Sequence, residues 1–379
     1  MISGERFSVV YDLVGDHQTA VRKAKDICVE QTIEFPEELL QPGIIGDHLV
    51  GRIESFEPIA GKAEKQYRTV ISYAIETTAN ELTQLLNVIF GNISIKSGIV
   101  VSEIKLPLSL LTCFKGPRFG RQGLRQLLKI PQRPLLHTAL KPLGLSSKQL
   151  AALAFDCAVG GIDIIKDDHG ITNQIFAPFE ERVSLCADAV NRANLQTGNK
   201  SIFIANITGP ANKIISRAVF AKAAGAGGLL LAPALTGYDI VREIAENDDI
   251  GLPIILHPAF QGSYVLNDSQ GISHGALFGQ IARLAGGDAT IYPNFGGRFS
   301  FSRMECENIV RGTTIPMGPI RTIFPSPGGG MTLERVPEML RVYGSDVIFL
   351  IGGGLFQHGP NLVENCQHFR RIVEQAVTK

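Results

Sequence analysis

The sequence predicts an α/β protein: a C-terminal (β/α)8 barrel preceded by a ferredoxin-like α+β domain. Three observations predict it. Eight short apolar runs recur from residue 135 onward, their starts about 25 to 40 residues apart. Amphipathic stretches fill the intervals between them. Before residue 118 the order is instead strand, helix, strand, strand, helix, strand.

In the first part, "RFSVVYDLV" alternates as a strand, and "DHQTAVRKAKDICVEQTI" has the spacing of a helix. "HLVGRIESFEPI" and "QYRTVISYAI" read as strands, and "TTANELTQLLNVIFG" as a capped helix. That order is the ferredoxin-like one. "FKGPRFGRQGLRQLL" crosses into a second unit, giving a domain over 1–118 and a barrel with C-terminal helices over 119–379. The barrel strands are "LLHTALKP", "GIDIIKDD", "SIFIANIT", "GGLLLAPA", "LPIILHPA", "ATIYPN", "IRTIFPSPG" and "DVIFLIGGG". Helical stretches such as "SSKQLAALAFDCAV", "ISRAVFAKAAGAG" and "SHGALFGQIARLAGG" stand between them. An open doubly wound sheet uses the same units. Eight regular repeats, and no G-x-G-x-x-G after the first strand, favour the barrel.

Composition narrows the function. The 379 residues are 45% apolar and 19% charged, with zero net charge. A nucleic-acid binder or a polybasic membrane reader is not expected. No apolar run reaches a membrane span, and "MISGERFSVVYDL" has no signal-peptide pattern. Six scattered cysteines without C-x-x-C read as free thiols, and the expected location is the cytoplasm.

Barrel enzymes place their chemistry at the C-terminal ends of the strands. Those ends carry Lys141, then Lys166, Asp168 and His169, then His257, then Asn294. Glycines 328–330 and 352–354 follow the seventh and eighth strands. Such turns let backbone N–H groups approach a phosphate closely. "KDDH" joins two carboxylates and an imidazole, a set that suits a divalent cation. Side chains alternate along a strand, so Asp167 points away from Lys166 and Asp168. A lysine cation repels a metal unless carbamylation turns it into a carboxylate-like ligand. The bland reading is a structural Lys–Asp ion pair. Lys141, shielded by apolar neighbours, would have a depressed pKa and act as a base. A Schiff base or an anion anchor fits the same residue.

"LLHTALKPLGLS", followed 25 residues later by "GGIDIIKDDHG", resembles the large subunit of ribulose bisphosphate carboxylase. That family carries KP-x-LGLS before GG-x-D-x-x-KDDE. The resemblance continues in "GPRFGRQGLRQLL", "LAGGDATIYPN", "GGGMTLERVPEMLRVYGSD" and "FLIGGGLFQHG", and runs from about residue 73 to the end. It implies a head-to-tail homodimer whose active site borrows a residue, here Asn92, from the partner. It implies that Lys166 is carbamylated by CO2 to hold Mg²⁺, that Asp168 is a ligand, and that His169 stands where the family has glutamate. Lys141 matches the proton-abstracting lysine and His257 a substrate-binding histidine. Gly329, Gly330, Gly352 and Gly353 match phosphate-binding glycines.

The departures point away from CO2 fixation. "KPLG" has lost a residue, so Leu143 stands in the region of an expected second lysine, and Arg298 stands where a CO2-orienting lysine is. Pro258 replaces a phosphate-binding arginine and Gln261 a histidine. "ETTANEL" replaces a phosphate-binding stretch, and the chain has no tryptophan. One phosphate site is kept and the other lost. The expected protein is therefore a RuBisCO-like protein that enolises or isomerises a phosphorylated ketose by 1,3-proton transfer. The best candidate substrate is 5-methylthioribulose 1-phosphate, its thioether received by Phe295, Phe299 and Phe301. Arg298 motivates an alternative, decarboxylation of a β-keto sugar acid of the oxo-isoapionate type, because a guanidinium suits a carboxylate. A non-catalytic binding protein is the third reading, and turnover separates it from the other two. With His169 as a ligand, the metal preference moves from Mg²⁺ toward Mn²⁺, Fe²⁺ or Zn²⁺.

Overall fold

The computed structural model describes residues 2–61 and 65–377. They fall into two compact units. One comprises Met1–Phe114, Gln261–Ile281 and Ile315–Ile320; the other comprises Lys115–Phe260, Ala282–Thr314 and Arg321–Lys379. Two segments inside the span that the sequence assigns to the barrel thus group with the first unit.

The strands, in chain order, are β1 (Arg6–Val14), β2 (Arg52–Pro58), β3 (Gln66–Ala74), β4 (Ile99–Lys105), β5 (Leu135–Leu140), β6 (Ile164–Asp167) and β7 (Ile202–Asn206). They continue with β8 (Gly228–Leu231), β9 (Ile254–Leu256), β10 (Gly271–Ile272), β11 (Ala289–Pro293), β12 (Phe324–Gly328) and β13 (Ile348–Leu350).

In the first unit the sheet order is β10-β4-β1-β3-β2, antiparallel except for the short β10. The order β4-β1-β3-β2 is the ferredoxin-like arrangement that the sequence predicts. Helix α1 (His17–Glu30) starts on Asp16, whose carboxylate accepts the Thr19 N–H. It buries Ala20, Ala24 and Ile27. Helix α2 (Leu82–Phe90) differs from expectation. The Thr77 and Thr78 hydroxyls donate to the Ala74 and Ile75 carbonyls instead of capping it. Ala79 and Asn80 then take positive φ, 49° and 59°, so a turn separates the threonines from the helix. The cap position falls on Glu81, which makes no capping bond.

In the second unit eight parallel strands run in the order β12-β11-β9-β8-β7-β6-β5-β13. β12 packs on β13 and closes the barrel. Inward side chains at its base (Leu135, Ile164, Ile204, Leu230, Ile255, Phe324) meet Leu124 and Leu128 of the helix Gly120–Leu128. Each buried aliphatic of this kind contributes roughly 1.5–3 kcal/mol. Carboxylates fasten the strands from below. Asp288 accepts the N–H groups of Phe119, Gly120 and Ile254. Asp163 takes a two-pronged bond from Arg133, at 2.7 Å on each oxygen, and also the Leu136 N–H. The base is therefore stability, and the opposite rim is free for chemistry. Among the described residues no helix is long and apolar enough to cross a membrane.

Candidate active site

Lys141 follows β5, Lys166 lies within β6, and Asp168 and His169 follow it directly. Their strands are neighbours, with Ala139 level with Lys166. The Lys141 ammonium donates to Asp168 Oδ1 at 2.9 Å. His169 Nδ1 lies 3.5 Å from the same oxygen. The His169 ring stacks on His257, the residue after β9, with centroids 4.3 Å apart and planes within 11°. Five of the expected groups thus converge on one side of the rim.

Asp167 points the other way, as alternation requires. It is fully buried against Arg182 at 3.1 Å and accepts the Asn206 N–H at 3.0 Å. Arg182 also binds the carbonyls of Thr172 and Ala177, and the Asn206 amide binds those of His169 and Ile171. Asp167 therefore anchors the loop that carries His169.

The bland ion-pair reading is half right. Asp168 is paired, but its partner is Lys141. Lys166 instead donates to the Asp167 carbonyl at 3.0 Å. The burial expected at Lys141 also falls on its neighbour. The Lys141 side chain is 36% exposed, whereas Lys166 is 2% exposed. Burial lowers the Lys166 pKa to about 8, against the pull of Asp168 and with the help of the Lys141 charge. Asp168 is partly buried, which raises its pKa. The His169 contact, Lys166 and Lys141 outweigh that and hold it well below the usual carboxylate range. His257 is pushed well below the ordinary histidine range by burial and by the Lys166 charge, so its ring is neutral. Its Nδ1 accepts the Ala259 N–H at 3.1 Å, which leaves the proton on Nε2.

The glycine turns fall into two kinds. Gly329 and Gly330 have φ of 79° and 101°, which other residues adopt only under strain. A Cβ on Gly329 would meet the Phe299 ring at 2.8 Å, and one on Gly330 the Arg298 backbone nitrogen at 2.9 Å. Gly353 is different: a Cβ there would meet nothing within 4 Å. The backbone does not demand glycine there, and the space above it is open. A Cβ on Gly352 would lie 3.7 Å from Lys141 Cε, which ties this turn to the lysine.

Other expected positions separate from the cluster. Asn294 is fully buried; it donates to the Phe295 carbonyl and accepts from the Tyr343 hydroxyl, so it braces its loop. Phe295 and Phe301 are buried, leaving Phe299, 49% exposed, under the Arg298 guanidinium. In the first unit Asn92 is exposed and donates to Glu30. Sequence reasoning missed Asn206 and His137. Both are polar residues inside apolar strands, and that was the signal.

Residues 120–377 match the family model for the ribulose bisphosphate carboxylase large chain, catalytic domain. The chain is 34% identical to ribulose bisphosphate carboxylase-like protein 1 of Rhodopseudomonas palustris, over 97% of this chain and 98% of that one. It is 35% identical to the 5-methylthioribulose-1-phosphate isomerase of Rhodospirillum rubrum, over 99% and 98%. The crystal structure of a Rubisco-like protein from Rhodopseudomonas palustris superposes with a TM-score of 0.86 at 35% identity, covering 98% of each chain. With the eight-stranded barrel, the ferredoxin-like sheet and the lysine–aspartate rim in place, the chain belongs to the ribulose bisphosphate carboxylase large-chain family, as an enzyme of its RuBisCO-like group.

Proposed function

We propose that the barrel rim enolises a phosphorylated ketose and moves a proton between the carbons flanking its carbonyl, with 5-methylthioribulose 1-phosphate as substrate. One observation carries this reading. Lys141 spans the two halves of the site, its Nζ 2.9 Å from Asp168 and its Cε beside the Gly352 turn. A substrate whose phosphate rests on Gly329, Gly330, Gly352 and Gly353 presents its α-carbon to that amine. Once its ammonium has lost a proton to solvent, neutral Lys141 takes the α-proton, and the Asp168 carboxylate holds the ammonium that results. His257, neutral with its proton on Nε2, donates a hydrogen bond to the oxygen on which charge develops. The Phe299 ring receives the thioether. The relative from Rhodospirillum rubrum bears the name of this isomerase.

Among the described residues no three His, Cys, Asp or Glu side chains form a metal-binding group. Asp168 Oδ1 and His169 Nδ1, 3.5 Å apart, supply two donors, and a carbamate on Lys166 completes the set. The lowered Lys166 pKa fits, since CO2 reacts with a neutral amine. A divalent cation held there would polarise the substrate oxygens. Asn92 reaches the site from a second copy of the chain in a homodimer, and the protein works in the cytoplasm.

Phosphorus and proton NMR in D2O tests the reading. The expected result is a new phosphorylated product, with deuterium at the α-carbon. No exchange and no new phosphorus signal would sink it. Release of CO2 from a β-keto sugar acid in its place would give Arg298 the carboxylate-binding role.

A further inference from the structure

The inward row of β5 runs Leu135, His137, Ala139 and then Lys141 at the rim. Leu135 belongs to the apolar base of the barrel. His137 sits one step above it, beside Leu350 of β13 and Ile164 of β6. It is 0% exposed, and neither ring nitrogen has a hydrogen-bond partner among the described residues. A neutral imidazole has one N–H to donate and one nitrogen to accept. Each group left unmade in a dry interior costs roughly 1–3 kcal/mol. An aliphatic residue such as Leu135 would fill this position without that cost. The histidine therefore answers to a polar group that joins the lumen.

On β5 the residue below is Leu135 of the apolar base, so that group enters from above. Next on that row is Ala139, a small side chain, and level with Ala139 is Lys166. As a free amine, Lys166 turns its Nζ to the Asp167 carbonyl and makes no hydrogen bond to the ring. We propose that His137 is a positioning residue that donates its ring N–H to a carbamate oxygen on Lys166. The inference rests on the carbamate reading of Lys166 given above. In the step concerned, the Lys166 Nζ lone pair attacks the carbon of CO2 and an N–C bond forms. One C–O π pair moves onto oxygen, and one amine proton leaves to solvent. His137 takes no proton; it holds the anionic oxygen in the lumen. Burial, the larger cause of its lowered pKa, keeps the ring neutral.

The test reads carbamate directly. Full-length protein is titrated with ¹³C-bicarbonate, with and without Mg²⁺, and the carbamate ¹³C resonance is followed. Lys166→Arg identifies the signal by removing it. His137→Leu should raise the bicarbonate needed for half-occupancy about tenfold, the effect of one hydrogen bond to a charged group. His137→Gln keeps an N–H donor and should restore occupancy to within a few-fold of wild type. Equal occupancy curves for His137→Leu and wild type overturn the role of His137 and leave the carbamate standing. Absence of any Lys166-dependent signal in wild type overturns the carbamate and this inference together. If the leucine variant does not fold, ¹⁵N-histidine labelling of the wild type decides. The ring resonance that His137→Gln removes should shift on adding bicarbonate, and a resonance that stays fixed overturns the proposal.

Discussion

Lys141 and Lys166 share a carboxylate neighbourhood but differ in solvation, and that difference assigns them different work. Lys141 reaches the open rim and touches Asp168, so it is placed to exchange a proton with substrate. Lys141→Met keeps the bulk and removes the amine. It should leave folding and ligand binding largely intact and cut turnover by about 10² to 10⁴. Solvent-deuterium exchange at the α-carbon should fall with it; wild-type exchange would reduce Lys141 to an anchor. Lys166 is buried with its pKa at about 8, below the lysine value of 10.5. Between these values the unfolded chain holds more protons than the folded one, so stability rises with pH across that window. Below about pH 8 the buried ammonium costs on the order of 3 kcal/mol. Lys166→Met should therefore raise the urea midpoint at neutral pH in metal- and CO2-free buffer, the gain fading as pH climbs toward 10.5. A gain that is the same at every pH would assign it to packing instead.

The strand-to-helix turns are the next scale. At Gly329 and Gly330 positive φ and close neighbours both require glycine, so substitution there tests the fold as much as the site. Gly353 gives the clean experiment, since a side chain meets only open space. Gly353→Asp should melt within a few degrees of wild type. The added carboxylate should weaken binding of a phosphorylated ligand by about 1–4 kcal/mol, the range of like-charge repulsion at close range near a protein surface. An unchanged dissociation constant by calorimetry would place the anion site elsewhere. The loop after β6 is held differently, by the buried Asp167–Arg182 pair and the Asn206 amide. Those bonds fix the His169 backbone while its ring stays half-exposed.

For the whole molecule, family membership and activity separate. The barrel is that of the carboxylase family, but the sequence sets Arg298 and the exposed Leu143 where CO2-handling lysines are expected. Arg298 lies over the Phe299 ring with its backbone against Gly330. Incubation with ribulose bisphosphate and labelled CO2 should give no acid-stable label above background. Label fixed in proportion to enzyme would refute the reading of these departures.

The eight barrel strands and the ferredoxin-like order were legible in the sequence, because short apolar runs and their spacing are local properties of the chain. The rim residues were legible for the same reason: a position after an apolar strand in a barrel is a position at the catalytic face. Asp167 could be turned away from Lys166 by alternation alone. Other features depend on what surrounds a side chain, which no local pattern records. "TTANELTQ" reads as a cap, yet two positive-φ residues part it from its helix. "NFGGRFSFS" offers three phenylalanines, and packing leaves only Phe299 open. Only the closed barrel put the burial on Lys166, gave Asp168 to Lys141, stacked His169 on His257 and sealed His137 in the lumen without a partner among the described residues. Solvation and charge pairing sum over residues distant in sequence, so they exist only once the strands have closed.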